Sequence, residues 1–470
     1  MRMLIGGEWV DGDERIDVRN PFDDSLIDTI PCAGESDVEK ALRSAVRGFE
    51  EMRRLPAWRR SEILAKASGL MGERSKDFAI TLAKEVGKTI REAETEVSRA
   101  CNTLMVASEE AKRITGEVYP FDATPGGETK IGFYMRVPVG VILGITPFNV
   151  PLNLACHKVA PALAAGNSVI LKPATATPLA DLMLGQVLLD AGLPAEGINI
   201  ITGRGGALGK PLISDPRVRM VTFTGSPEVG ESITRMAGLK KLTMELGSNS
   251  CAIVMDDADL ADAAVKIRRG GYAVAGQVCI SVQRVIVHEA VYDAFLDKLV
   301  PLVSEMKTGD QLDESTDMGP MISEEAAERV EGWINEAVSA GAKALLPFEG
   351  RGAVLTPTVL LDVTPEMKVW ALEAFGPLVA VVKCRDFEHA VELANTSMYG
   401  LQAGIFTKNM SYALTAAREI EVGGLMVNEA PTFRIDGMPY GGVKLSGFGR
   451  EGPKYAIEEM TEIRLVSFSL

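Results

Sequence analysis

The chain has 470 residues, 46% of them hydrophobic and 24% charged, a globular composition in a chain too long for one core, since cores stop growing near roughly 250–300 residues. Two large domains are therefore expected, and the formal charge of −15 (49 basic against 64 acidic residues) excludes a general attraction to nucleic acid or an anionic membrane. The six cysteines are scattered, with no close pair and no metal-ligand spacing, so neither a disulfide framework nor a metal site is expected and a reducing, cytoplasmic setting fits best.

The N-terminus lacks the apolar core of a secretory signal. Residues 1–35 read as short strands and turns, followed by a helix over 36–52 and a long helical region over 57–114, where Leu64, Ala67, Leu70 and Met71 recur at helical spacing. Residues 116–136 contain Pro120, Pro125, Gly126-Gly127 and the alternation Ile131, Phe133, Met135, the pattern of a projecting hairpin arm. The stretch 137–157 has no charged side chain, but Pro138, Pro147, Pro151, Asn149 and Asn153 make it a buried strand, turn and helix rather than a membrane span.

From there strand, turn and helix alternate. A strand over 139–146 leads to the turn Pro147-Phe148-Asn149 and a helix over 152–165; a second, over 168–171, leads through Lys172-Pro173-Ala174-Thr175 to a helix with Thr177 as cap, Pro178 at its first position and Gly192 past its end. Next come 198–201, a glycine-rich turn at Gly203, Gly205, Gly206 and Gly209, a strand over 218–223 and a last strand over 242–246. This rhythm predicts an α/β fold with a doubly wound parallel sheet, which binds ligands at the carboxyl ends of its strands. A second α/β unit follows: a strand over 251–255, a helix over 259–275, a strand after Arg284, helices over 291–306 and 323–340, a strand before Phe375-Gly376-Pro377, a helix over 387–395 and strands over 404–407 and 424–428. The alternating segment 465–470 reads as a terminal strand with an edge for another subunit.

Cys279 lies on the short link between helix 259–275 and the next strand, a place where scaffolds present functional side chains, although an isolated free cysteine is more often a small buried hydrophobe. In Thr224-Gly225-Ser226-Pro227, serine and proline suit a helix start whose free N–H groups attract phosphate, and Lys172 adds a cation at a neighbouring strand end; together they suggest a nucleotide. A cysteine hydrolase would need a histidine beside its sulfur. Of the three histidines, His288 and His389 have ordinary positions, and His157, on the helix after Asn149, is either a core residue or close to substrate.

Seven separated motifs carry a resemblance over almost the whole chain: Pro147-Phe148-Asn149, Lys172-Pro173-Ala174, Phe223-Thr224-Gly225-Ser226, Glu245-Leu246-Gly247, Gly276-Gln277-Val278-Cys279, Glu373-Ala374-Phe375-Gly376-Pro377 and Ser446-Gly447-Phe448-Gly449-Arg450-Glu451. The chain resembles the NAD(P)-dependent aldehyde dehydrogenases, of the non-acylating kind. The resemblance implies a Rossmann-type cofactor domain (1–122, 136–245 and 436–454), a catalytic α/β domain (246–435) and a β oligomerisation arm (123–135 and 455–470) in a homodimer or homotetramer. It implies Cys279 as nucleophile, Asn149 with the Cys279 N–H as oxyanion donors, and Glu245 as the base that activates water. Cofactor contacts are implied at Ile145, Thr146, Pro147, Phe148, Lys172, Thr175, Gly205, Gly209, Gly225, Ser226, Leu246, Glu373 and Phe375. Many NAD-preferring members carry glutamate where this chain has Thr175, so NADP is favoured and NAD stays open. Arg99, His157 and Arg434 are the candidate substrate contacts, while Val278 stands where phosphoglyceraldehyde-oxidising members carry arginine. A small hydroxylated aldehyde of the lactaldehyde or glyceraldehyde type is expected. The alternatives are an anionic aldehyde such as glyceraldehyde 3-phosphate or a semialdehyde, a coenzyme A-acylating enzyme, or a binding protein on the same fold.

Overall fold

The computed structural model describes all 470 residues. One sheet has eight strands in the order Glu8–Val10, Met3–Ile5, Ile198–Ile200, Ser168–Lys172, Val141–Ile145, Val218–Thr224, Lys241–Glu245 and Gly447–Phe448. From Ile198–Ile200 to Lys241–Glu245 the pairing is parallel. The chain grows outward from Val141–Ile145 on one side and then returns to its other side, so the crevice between Val141–Ile145 and Val218–Thr224 is the switch point where such sheets bind ligands. The second sheet runs Lys343–Ala344, Thr358–Leu361, Leu378–Cys384, Arg284–His288, Cys251–Val254, Gln402–Phe406 and Gly424–Val427.

Both faces of the first sheet are covered, which its apolar strands require. Alternation along a strand divides them: Ile142 joins the core under the long helices, whereas Leu143 joins a separate core with Leu208 and Val221 on the opposite face. The helix Pro151–Ala165 is buried at every residue, packed between this sheet and Ile90–Ala111. Its buried polar residues, Asn153, His157 and Lys158, therefore need partners inside the protein.

Several sequence expectations shift. The region 57–114 is three helices, Ala57–Glu73, Ser75–Val86 and Ile90–Ala111, divided where Gly87 is left-handed and Thr89 caps the third with Glu92. The helix after Lys172 begins at Leu179, with Pro178 before its first turn; its free N–H groups donate to the buried Glu85 carboxylate instead of to Thr177. Gly205, Gly206 and Gly209 lie in a helix, Gly205–Ser214, rather than a turn. The expected strand before Phe375 is Thr358–Leu361, separated from the motif by the short helix Lys368–Ala371, and a second strand, Leu378–Cys384, follows the motif. The projecting sheet joins Glu117–Tyr119, Lys130–Pro138 and Thr461–Ser469, so its edges differ from 123–135 and 455–470; the helix Pro453–Glu459 buries Ala456 and Ile457 in the first domain.

The helix expected over 259–275 ends at Tyr272, because Val274 and Ala275 adopt left-handed backbone (φ 51° and 53°) and Gly276 follows at 73°. Left-handed L-residues are strained, and here the Val274 N–H is held by the Glu92 carboxylate at 2.8 Å. This bend delivers Cys279. A side chain at Gly276 would collide with the Gly376 carbonyl. Gly276→Ala is expected to cost about 3 kcal/mol in urea unfolding, whereas Gly126→Ala, also left-handed but facing open space, should cost about 1 kcal/mol. Equal costs would show that the bend does not depend on that close approach.

Candidate active site

The carboxyl edge of the first sheet meets the amino edge of the second, and the candidate residues converge there. Asn149 follows the strand Val141–Ile145, Glu245 ends Lys241–Glu245, and Cys279 precedes Arg284–His288. A narrow cavity of about 50 Å³ is lined by Cys279, Asn149, Glu245, Arg99, Arg434 and Tyr440, among others. Burial pushes the Cys279 thiol up to about 11, opposed by the Tyr440 hydroxyl and then by the Arg434 charge; the Tyr440 oxygen is 3.0 Å from Sγ. Asn149 donates through Nδ2 to the Gln277 carbonyl at 2.8 Å, which ties its amide to the cysteine turn and leaves the second Nδ2–H for another acceptor.

Glu245 is buried and neither carboxylate oxygen has a hydrogen-bond partner. Burial, and then the negative charge of Glu451, raises its carboxyl well above the usual range. Glu451 behaves in the opposite way. Burial works against its charge, but Lys158, Arg434 and His157 outweigh it and hold its carboxyl down to about 2. Lys158 reaches Glu451 at 2.9 Å and Thr224 Oγ1 at 2.7 Å, and Arg434 reaches the other Glu451 oxygen at 3.0 Å. Two buried carboxylates thus face one cavity with their proton affinities pushed apart, a pattern that separates acid–base from structural roles.

Arg434 also lies 3.7 Å over the Tyr440 ring, and its Nε has no partner. Arg99 pairs with Asp436 at 2.8 Å. Asp436 also accepts from Asn153 at 3.0 Å, and His157 Nε2 lies 3.2 Å from it. Burial opposes the Asp436 charge, yet the His157 hydrogen bond and Arg99 hold its carboxyl below the usual range. His157 is fully buried behind this carboxylate and does not line the cavity, so the expected substrate contact does not form. Both arginines stand in ion pairs, but both still face the cavity.

The other half of the crevice suits a dinucleotide. Lys172 is buried, donates to the Pro173 carbonyl at 2.7 Å and is lowered to about 8 by burial. Thr175 donates to the Gly203 carbonyl at 3.1 Å. A Cβ on Gly205 would meet only the Lys172 chain, one on Gly206 nothing, and one on Gly209 only Ile213, so the helix start beside Lys172 is open. Ser226 caps the helix Pro227–Ala237, and a side chain at Gly225 would strike the Phe223 ring. Thr146 donates to the buried Asp181 at 3.0 Å, a side-chain bond that turns it away from a ligand, whereas Ile145 and Phe148 stay half-buried beside Pro147. Phe148 meets Phe375 edge to face at 5.8 Å, and Phe375 has a left-handed φ of 47°. Glu373 accepts from the Ser248 N–H at 2.9 Å, and burial raises its carboxyl to about 7. Leu246 covers Gly230 and lines the catalytic cavity. Buried cation, open helix start, carboxylate and aromatic edge fit a nicotinamide dinucleotide.

Sequence reasoning missed Tyr440, Lys158, Asp436 and the role of Glu451. One signal was available: Lys158 is the only lysine, arginine, aspartate or glutamate in the helix Pro151–Ala165. Glu451 generates a test. A carboxyl lowered on folding stabilises above its unfolded value and loses that stability as pH falls through the folded one, here from about 4.5 to about 2. Glu451→Gln should lose about 3 kcal/mol at pH 7, because Lys158 and Arg434 are left unpaired, and the gap from the unmodified chain should narrow as urea unfolding is repeated toward pH 2. A pH-independent gap would contradict this.

The sequence model of the Aldehyde dehydrogenase family matches residues 9–466. The 3-sulfolactaldehyde dehydrogenase of Priestia megaterium is 49% identical over 468 residues, covering 100% of this chain and 98% of its own. Aldehyde dehydrogenase 21 of Physcomitrella patens, solved with its reaction product succinate, superposes with a TM-score of 0.97 at 39% identity, over 100% of this chain and 98% of that one. The glyceraldehyde-3-phosphate dehydrogenase GapN of Methanocaldococcus jannaschii, solved with NADP, does so with a TM-score of 0.93 at 37% identity, over 97% and 99%. With the family match spanning nearly all of both sheets and the site between them, the chain belongs to the aldehyde dehydrogenase family and is an NAD(P)-dependent oxidoreductase acting on aldehydes.

Proposed function

We propose that this enzyme oxidises a short aldehyde with a hydroxyl beside the carbonyl and an anionic group at its far end, with NADP preferred. The Cys279 thiolate adds to the carbonyl carbon, and the developing oxyanion accepts from the free Nδ2–H of Asn149 and from the Cys279 N–H, donors each often worth roughly 10²–10³ in rate. Nicotinamide, when bound, supplies the hydride acceptor. The acyl group then stays on sulfur as a thioester until water displaces it. Glu245 takes the proton of that water; neither of its oxygens is tied to another group, and burial raises its affinity for a proton. This route needs no coenzyme A.

In this reading Lys172 and Thr175 stand beside the adenosine ribose. An uncharged threonine does not repel a 2′-phosphate, and Lys172 attracts it, which favours NADP. Residues 246–435, which carry the whole second sheet, form the catalytic domain in this reading. The exposed apolar side chains Ile463 and Leu465 on one face of the projecting sheet, and Phe468 on the other, support pairing with further copies in a cytoplasmic homodimer or homotetramer.

One observation carries the substrate class: the Arg434 Nε, buried in the wall of the Cys279 cavity, has no partner. An unused guanidinium donor there suits a sulfonate, carboxylate or phosphate, with Arg99 beside the same cavity. The hydroxylated skeleton expected from sequence stays, and the charge at the far end is added to it. The relative named for 3-sulfolactaldehyde combines both features. Arg434→Lys keeps a cation for Glu451 but removes the fork. It should lower kcat/KM for sulfolactaldehyde about tenfold more than for lactaldehyde. Equal losses on the two substrates would rule out the anion contact.

A further inference from the structure

Tyr440 appears in none of the motifs, yet its hydroxyl is the side-chain group closest in chemistry to the reacting sulfur: the oxygen lies 3.0 Å from Cys279 Sγ. Apolar Ile280, Leu401 and Met438 pack around the pair, so the hydroxyl has Sγ as its hydrogen-bond partner. The ring is held from two sides. Its backbone exchanges two hydrogen bonds with Glu451, Tyr440 N–H to the Glu451 carbonyl at 3.1 Å and Glu451 N–H to the Tyr440 carbonyl at 2.7 Å. Arg434, itself paired with the Glu451 carboxylate, covers the ring face at 3.7 Å.

A thiolate can only accept a hydrogen bond, so once Cys279 ionises the proton between the two atoms belongs to the phenol. The guanidinium over the ring draws electron density from it and sharpens the hydroxyl as a donor. The other charges facing the pair are Glu245 and Glu373, which oppose the thiolate, and Arg434, which favours it.

We propose that Tyr440 is a catalytic residue whose hydroxyl donates to Cys279 Sγ and stabilises the thiolate that attacks the aldehyde. This rests on Cys279 being the nucleophile. The S–H proton passes to water in the cavity, the Tyr440 O–H bond stays intact, and the sulfur keeps the electron pair that forms the new S–C bond. Tyr440 and Arg434 thus link the thiol to Glu451, the buried carboxylate whose charge raises Glu245.

The test is alkylation of Cys279 by iodoacetamide in the full chain, followed from pH 7 to 9 by the mass of the peptide that carries it. Below the titration midpoint the rate is proportional to the thiolate fraction, so losing a hydrogen bond to a charged acceptor lowers it at every pH. Tyr440→Phe should react about tenfold more slowly across the range. Phenylalanine is the smaller side chain, so reduced access cannot produce that loss. An unchanged or faster rate overturns the proposal. Should Tyr440→Phe fail to fold by circular dichroism, the unmutated chain grown with 3-fluorotyrosine, a more acidic phenol, replaces it. Faster alkylation at fixed pH then supports the donor role and an unchanged rate overturns it. Cys279→Ser with aldehyde and NADP separates the two claims: turnover that survives this change removes the nucleophile itself, whatever Tyr440 does.

Discussion

The buried Glu451 carboxylate between Lys158 and Arg434 is the interaction on which the rest of the site depends. Removing a charge from water costs several kcal/mol unless a partner of opposite sign is fixed beside it, and here two cations from distant parts of the chain meet one acid. Lys158 comes from the buried helix that follows Asn149, and Arg434 from the loop that returns to the first sheet. The arrangement leaves one positive charge in excess. That excess partly offsets the burial of Glu245 and supports the thiolate at Cys279. The triad therefore ties the helix Pro151–Ala165 to the loop at Arg434 and acts on the proton affinity of Glu245 at once.

The site also stores backbone strain. Val274, Ala275 and Phe375 are L-residues in left-handed conformation, and all three flank the meeting of the two sheet edges. Such positions persist only where the surroundings over-determine them. Glu92 holds one side of the bend through the Val274 N–H, while the Gly276–Gly376 approach closes the other. Cys279 is thus presented by a loop that has little freedom to relax, which suits the nucleophile role proposed for it.

Much of this was legible in the sequence. Alternating strand and helix patterns located the doubly wound sheet, and Cys279, Glu245 and Asn149, whose roles the family resemblance implied, do share one cavity. What escaped was long-range pairing. Thr177 and Pro178 look like a helix start on local grounds, but the helix is capped by Glu85, 94 residues away from Leu179. Arg99, His157 and Asn153 gave no local sign that they converge on Asp436, and Tyr440 gave none that it reaches Cys279. Periodicity reports which face of an element is buried; it does not report which distant polar group satisfies a buried charge.

The central claim is that the substrate becomes covalently attached to Cys279 before water releases it. Its most direct test is to mix the Glu245→Gln chain with NADP and sulfolactaldehyde, quench in acid within one turnover and weigh the peptides. The account predicts that the peptide containing Cys279 gains the mass of one acyl group and that hydroxylamine removes it. An unmodified Cys279 peptide, in a sample where the cofactor has been reduced, would contradict the thioester route and the role of Cys279 with it.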